Sequence, residues 1–176
     1  MDPKNGTRER LLEATLELIS QKGYLGATTR EIASHAGVSE LTLFRRFGKK
    51  EHLFEEMLKN YTFLPRLRGL IDEVDEMQLE EGLRTIGIRF LETLRERRAL
   101  VQVLLSEIFH YPRKVRTVHQ RMIDDLGRTL QNYLESRQKQ GEVRPMDLNS
   151  VALAYLRVLF MTFLNESVFI EREMND

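Results

Sequence analysis

From Thr7 to Asn165 the chain is a succession of stretches rich in Leu, Glu, Arg, Gln and Met, and the whole sequence holds only four Pro. Such side chains lose little rotamer freedom in a helix, and the two-residue alternation that builds strands is nearly absent. The pattern restricts the fold to the all-α class. With 176 residues there is room for a buried core in one medium domain or two small ones. No Cys is present, which removes disulfides, Cys-ligated zinc, iron–sulfur clusters and thiol catalysis together. The first periodic stretch carries Glu9, Glu13 and Glu17, unlike the apolar core of a secretory leader. The expectation is a cytoplasmic protein.

Local signals divide the first part finely. Leu11, Leu12, Thr15, Leu18 and Ile19 form one stripe of a helix over about 7–22, with Gly23 as its stop. Thr28-Thr29-Arg30-Glu31 is a capping box that opens a short helix to about His35. Gly37 ends it, and Ser39 caps a third helix through about Phe47, with Leu43 and Phe47 inward. A fourth opens at Gly48 to Glu51. Longer helices follow near 66–76, 79–97, 99–110, 113–140 and 147–171, with Pro65, Pro112 and Pro145 at the breaks. The resulting division is a helix-turn-helix domain over 1–50, a connecting helix over 51–64 and a second helical domain over 65–176.

The segment TTREIASHAGVSELTLFRRFGKK, residues 28–50, carries the chemistry. Two short helices joined by the turn Ala36-Gly37-Val38-Ser39 make a helix-turn-helix, whose second helix enters the DNA major groove. Ser39, Glu40, Leu41 and Thr42 fall in that helix's first turn, where side chains reach base edges. Arg45, Arg46, Lys49 and Lys50 supply four positive charges, with no acid between Leu41 and Glu51. The helix start at Thr28, Thr29 and Arg30 offers a further anion site through its dipole.

The segment from about Glu9 to Leu58 resembles the DNA-binding domain of TetR-type (tetracycline-repressor-like) transcriptional regulators. The matching residues are Leu12-Glu13-Ala14, Gly23-Tyr24, Thr28-Thr29, Ile32-Ala33, Ala36 to Ser39, Thr42-Leu43-Phe44, Phe47, Lys50-Glu51 and Leu53. The resemblance implies base-edge contacts from Glu40, Leu41 and Thr42, with Arg45 as a further candidate. It implies phosphate contacts from Thr29, Arg46, Lys49 and Lys50, and from the Phe44 backbone or ring, with Ser39 mainly a cap. Leu41 stands where the family often has Gly, Phe44 where Tyr is common and Arg46 where His or Tyr is frequent. Leu41 either meets a thymine methyl or restricts the approach.

From Leu148 to Asn165 the only charge is Arg157. A helix apolar nearly all round is buried on two sides or spans a membrane; a central Arg disfavours the second reading. A homodimer joined through the last two helices fits the pattern, and the resemblance implies the same. Two-fold symmetry would pair the reading helices on a palindromic double-stranded operator. The resemblance further implies repression, released by a small apolar or amphipathic effector. Candidate lining residues, by their place in the middle helices, are Phe90, Leu94, Val103, Leu104, Phe109, His110, His119, Met122, Met161 and Phe163. Arg113, Lys114, Arg116 and Arg121 form an acid-free block there that is either a solvated face or a greeting for an anionic effector. Gly87 and Gly127, inside helical patterns, permit close helix packing or leave cavity space.

Enzyme readings find little support. Glu107-Ile108-Phe109-His110 is a single Glu-x-x-His motif where a carboxylate di-iron site needs two. No phosphate-binding loop, zinc motif or nucleophile triad is legible, so no cofactor, metal or catalytic residue is expected. The competing function is a dimeric helical interaction module that has lost DNA recognition. Residues 1–63 hold ten Lys+Arg against nine Asp+Glu, so any DNA affinity must come from local charge rather than a basic coat.

Overall fold

A computed structural model describes residues 6–166, apart from Ile108 and His110. Its helices are α1 (Thr7–Gly26), α2 (Thr29–His35), α3 (Glu40–Phe47), α4 (Lys50–Tyr61), α5 (Phe63–Val74), α6 (Leu79–Glu96), α7 (Arg98–Glu107), α8 (Arg113–Lys139) and α9 (Leu148–Leu164). No strand occurs among the described residues. His110, and the end of the expected 147–171 helix, lie outside the described residues.

The chain divides into two compact units. The first takes residues 1–61 and 99–120, the second 62–98 and 121–176. Most of α7 and the first part of α8 thus side with the N-terminal helices, whereas the sequence pattern grouped all of 65–176 together.

In the first unit α1 packs on α2 and α4, and α3 on α2 and α4. Its core holds Leu11, Leu12, Ile19, Ile32, Leu43, Leu53, Phe54 and Met57, each at most 2% exposed. The apolar residues of these helices recur every three or four positions, so one face of each is removed from water.

The second unit packs α5 on α6 and α6 on α9, around Phe63, Leu67, Val74, Ile86, Phe90, Leu130, Tyr133 and Leu156. Pro65, expected at a break, sits inside the first turn of α5, where no intrahelical N–H is needed. The end of α5 is satisfied by a distant cation. The Arg137 guanidinium donates to the carbonyls of Val74 at 2.9 Å and Met77 at 2.6 Å, and to Glu142 Oε1 at 2.8 Å. Gly87 and Gly127 serve close packing: an added Cβ would lie 2.6 Å from the Tyr155 hydroxyl at Gly87, and 2.7 Å from Leu153 at Gly127. No described helix is long and apolar enough to cross a membrane.

Candidate nucleic-acid interface

The reading element is built from two caps. At α2 the Glu31 amide donates to Thr28 Oγ1 at 3.2 Å, while the Thr28 amide donates to Glu31 Oε2 at 3.1 Å. This reciprocal pair satisfies two otherwise orphaned donors. Lys22 adds its ammonium at 2.8 Å; that contact, then the Thr28 bonds, hold the Glu31 carboxyl down at about 2. At α3 the Thr42 amide donates to Ser39 Oγ at 3.2 Å, and the two hydroxyls of Ser39 and Thr42 are 2.9 Å apart. Between the caps, Gly37 takes a φ of 67° in the four-residue turn, and the Val38 amide returns to the Ala33 carbonyl at 3.0 Å.

These bonds aim the faces of α3. Leu43 and Phe47 point into the core, at 0% and 5% exposed. Leu41 at 69%, Phe44 at 42%, and the exposed Arg45 and Arg46 lie on the solvent side. Arg30 and Lys49 are exposed as well. Glu40 lies on the flank, where its Oε1 accepts the Thr29 hydroxyl at 2.6 Å. The bond joins the first turns of α2 and α3, so Glu40 and Thr29 have each other as partners. Thr28 and Ser39 are occupied as caps.

Lys50 has a different partner from the phosphate expected of it. It is half-buried, its ammonium donates to the Tyr24 carbonyl, and it lies 4.3 Å from the Tyr24 ring centroid. Burial lowers its pKa, opposed by the negative charges of Glu107 and Glu51. Tyr24 follows the break in α1: Gly23, at φ 76° and ψ 170°, leaves helical geometry. The Tyr24 amide donates to Glu107 Oε2 at 2.7 Å, across 83 positions of sequence. A Cβ on Gly23 would lie 2.2 Å from Glu107 Oε1, so only glycine leaves room for this carboxylate. The Tyr24 ring packs against Phe54 and Tyr111, at centroid distances of 5.0 and 5.9 Å. Burial, then the charge of Glu51, pushes the Tyr24 phenol up to about 12. Sequence reasoning noticed Gly23 as a stop and Glu107 in a metal-like motif, but not their contact. Among the described residues no group of three His, Asp or Glu side chains could hold a metal ion.

The expected effector lining divides between the two units. Phe109 is 87% and Met161 58% exposed, so both face water rather than a pocket. Val103, Leu104 and His119 belong to the first unit, and Phe90, Leu94, Met122 and Phe163 to the second. Burial lowers the His119 pKa. Within the second unit an open groove of about 500 Å³ is lined by Arg68, Ile71, Asp72, Asp75, Asp125 and Arg128, among others, with none of the expected residues.

Residues 11–57 match the family model of bacterial regulatory proteins of the tetR family. Residues 81–175 match that of the AefR-like transcriptional repressor C-terminal domain. The chain belongs to the TetR family. Among its relatives is the HTH-type transcriptional regulator YvkB of Bacillus subtilis, 30% identical over 90% of this chain and 82% of that protein. Another is the transcriptional repressor KstR2 of Rhodococcus jostii, 26% identical over 88% of this chain and 76% of that one. FadR of Bacillus subtilis, solved in complex with stearoyl-CoA, shares the fold: TM-score 0.74, 19% identity, 95% of this chain and 89% of that one. As a TetR-family member the chain is a transcriptional regulator with a DNA-binding helix-turn-helix, and not an enzyme.

Glu107→Ala costs about 1–3 kcal/mol by leaving the Tyr24 amide unpaired, and Gly23→Ala costs about 2–4 kcal/mol through backbone strain and overlap. The double variant, in urea unfolding, is less destabilised than the two losses added, because removing the carboxylate frees the Cβ space. In DNA titrations, Arg46→Ala or Lys49→Ala each flattens the slope of log affinity against log salt by about one unit per bound subunit, about two for a dimer. Lys50→Ala leaves that slope unchanged while lowering stability.

Proposed function

We propose that this TetR-family regulator acts as a homodimeric repressor that reads a palindromic operator with α3 and is released by a small apolar or amphipathic effector. The observation that carries the reading is the outward face of α3: exposed Leu41, Phe44, Arg45 and Arg46, on a helix anchored by Leu43 and Phe47. Leu41, Thr42 and Arg45 meet base edges in this proposal. Arg46 and Lys49 hold phosphates, with Arg30 and Phe44 beside them. Thr29 and Glu40 set the relative posture of α2 and α3, and Lys50 secures the Tyr24 turn behind them.

The second copy is proposed on α9. Ala152, Leu156 and Phe163 bury one face of this helix, while Val151, Val158 and Met161 leave a second apolar face open, at 38%, 66% and 58% exposed. Residues seven and three positions apart share a side of a helix, so these three form a continuous stripe. Covering it with its symmetry mate in another protomer removes apolar surface from water and pairs the reading helices.

The effector class rests on family membership and on FadR, whose bound molecule is stearoyl-CoA. Titrating a protein–operator complex with stearoyl-CoA, and separately with CoA alone, tests whether an acyl chain drives release. Repression is supported by KstR2 and by the repressor domain matched at residues 81–175.

Unbiased selection from random duplexes is expected to yield a two-fold-symmetric sequence, bound far more tightly than scrambled DNA at physiological salt. Failure to enrich any sequence would favour the interaction module without DNA recognition. In sedimentation, Val158→Asp with Met161→Asp is expected to give a monomer of unchanged helix content, with operator affinity lost alongside. A variant that stays dimeric would remove α9 from the interface.

A further inference from the structure

The outward arc of α3 is partly apolar, which is unusual for a surface that meets a polyanion. At about 100° per residue, Phe44, Leu41 and Arg45 fall side by side within roughly 100°; Leu41 and Arg45 lie opposite the buried Leu43 and Phe47, and Phe44 lies on the flank towards Phe47. Leu41 and Phe44, three positions apart, are exposed at 69% and 42%. Glu40, the one acid of the helix, is turned to the flank and held by the Thr29 hydroxyl at 2.6 Å. It is therefore engaged before any base arrives, and a cytosine amino group would have to compete with that bond. What remains exposed on this arc is the hydrocarbon of Leu41 and Phe44, with Arg45 beside it.

We infer that Leu41, backed by Phe44, is a specificity determinant that reads the 5-methyl group of thymine in the major groove. The inference rests on the DNA-reading role proposed above and gives that role a chemical preference. Thymine is the base that presents a methyl group in this groove, so an exposed aliphatic side chain distinguishes it from cytosine without a hydrogen bond. The exposed cations Arg45, Arg46 and Lys49 favour a polyanion such as DNA as the occupant, because they offer partners to backbone phosphates. Arg45, beside Leu41 on the same arc, suits a guanine next to that thymine.

The test replaces thymine by deoxyuridine, one position at a time, in the selected operator; the change removes the methyl and keeps every hydrogen-bonding group. Wild-type protein is expected to bind about fourfold more weakly for one methyl lost and about fifteenfold for the symmetry-related pair. Leu41→Ala is expected to bind both duplexes alike, and Phe44→Ala to discriminate between them less than wild type. Leu41 is exposed, so its truncation leaves the fold intact, which circular dichroism checks. Equal wild-type affinity for thymine and deoxyuridine at every position overturns the inference while leaving operator recognition standing. Undiminished discrimination by Leu41→Ala also overturns it. If no operator is selected at all, DNA reading itself fails, and this inference with it.

Discussion

The hydrogen bond from the Tyr24 amide to the Glu107 carboxylate ties the end of α7 to the break in α1 within the N-terminal unit. It requires a broken turn at Gly23, a missing side chain there, and an acid from the end of α7. Lys50 then closes the arrangement by donating to the carbonyl of the same tyrosine. A carboxylate and an ammonium meet one residue's N–H and C=O in a half-buried setting, where a missing partner is more costly than it would be in water. Residues 99–120 are thereby held with the DNA-reading helices rather than with the rest of the second half.

On this foundation α3 divides its eight residues into three roles. Leu43 and Phe47 anchor it, Glu40 ties it to α2, and Leu41, Thr42, Phe44, Arg45 and Arg46 are left for DNA on the proposed reading. Its polarity is therefore set by position rather than by composition. The same locality explains the neutral charge sum of the chain. Acids such as Glu31 and Glu56 are engaged with Lys22 and Arg8, while Arg45, Arg46 and Lys49 stand exposed together. On the proposed reading, such a surface would bind nonspecific DNA weakly and depend on a docked helix.

What was legible in the sequence was local. Thr28 with Glu31, Ser39 with Thr42, and the alternation of Leu43 and Phe47 act within one or two helical turns, so spacing alone locates α2, α3 and the buried face between them. Pro65 marked the break between α4 and α5 three residues late, because a first helical turn tolerates what an interior turn rejects. The role of Lys50 was not legible: a basic residue at a helix start looks the same whether its ammonium meets phosphate or a carbonyl 26 positions earlier. Glu107 is further still from its partner, and nothing in its neighbourhood marks it. Phe109 looked like pocket lining from its place in the middle helices, yet it is turned outward. The apolar stripe of α9 gave the right character, a helix with two apolar faces, without saying which residues would be left uncovered.

Methylation protection of guanine N7 by the bound protein tests the central claim most directly, since that atom lies in the major groove. The account predicts two symmetric windows of protection on the selected operator, centred a whole number of helical turns apart. Both should vanish when Leu41, Thr42 and Arg45 are all replaced by Ala in a protein of unchanged helix content. Protection that persists in that variant, or that never appears in the wild type, would contradict α3 as the reading helix.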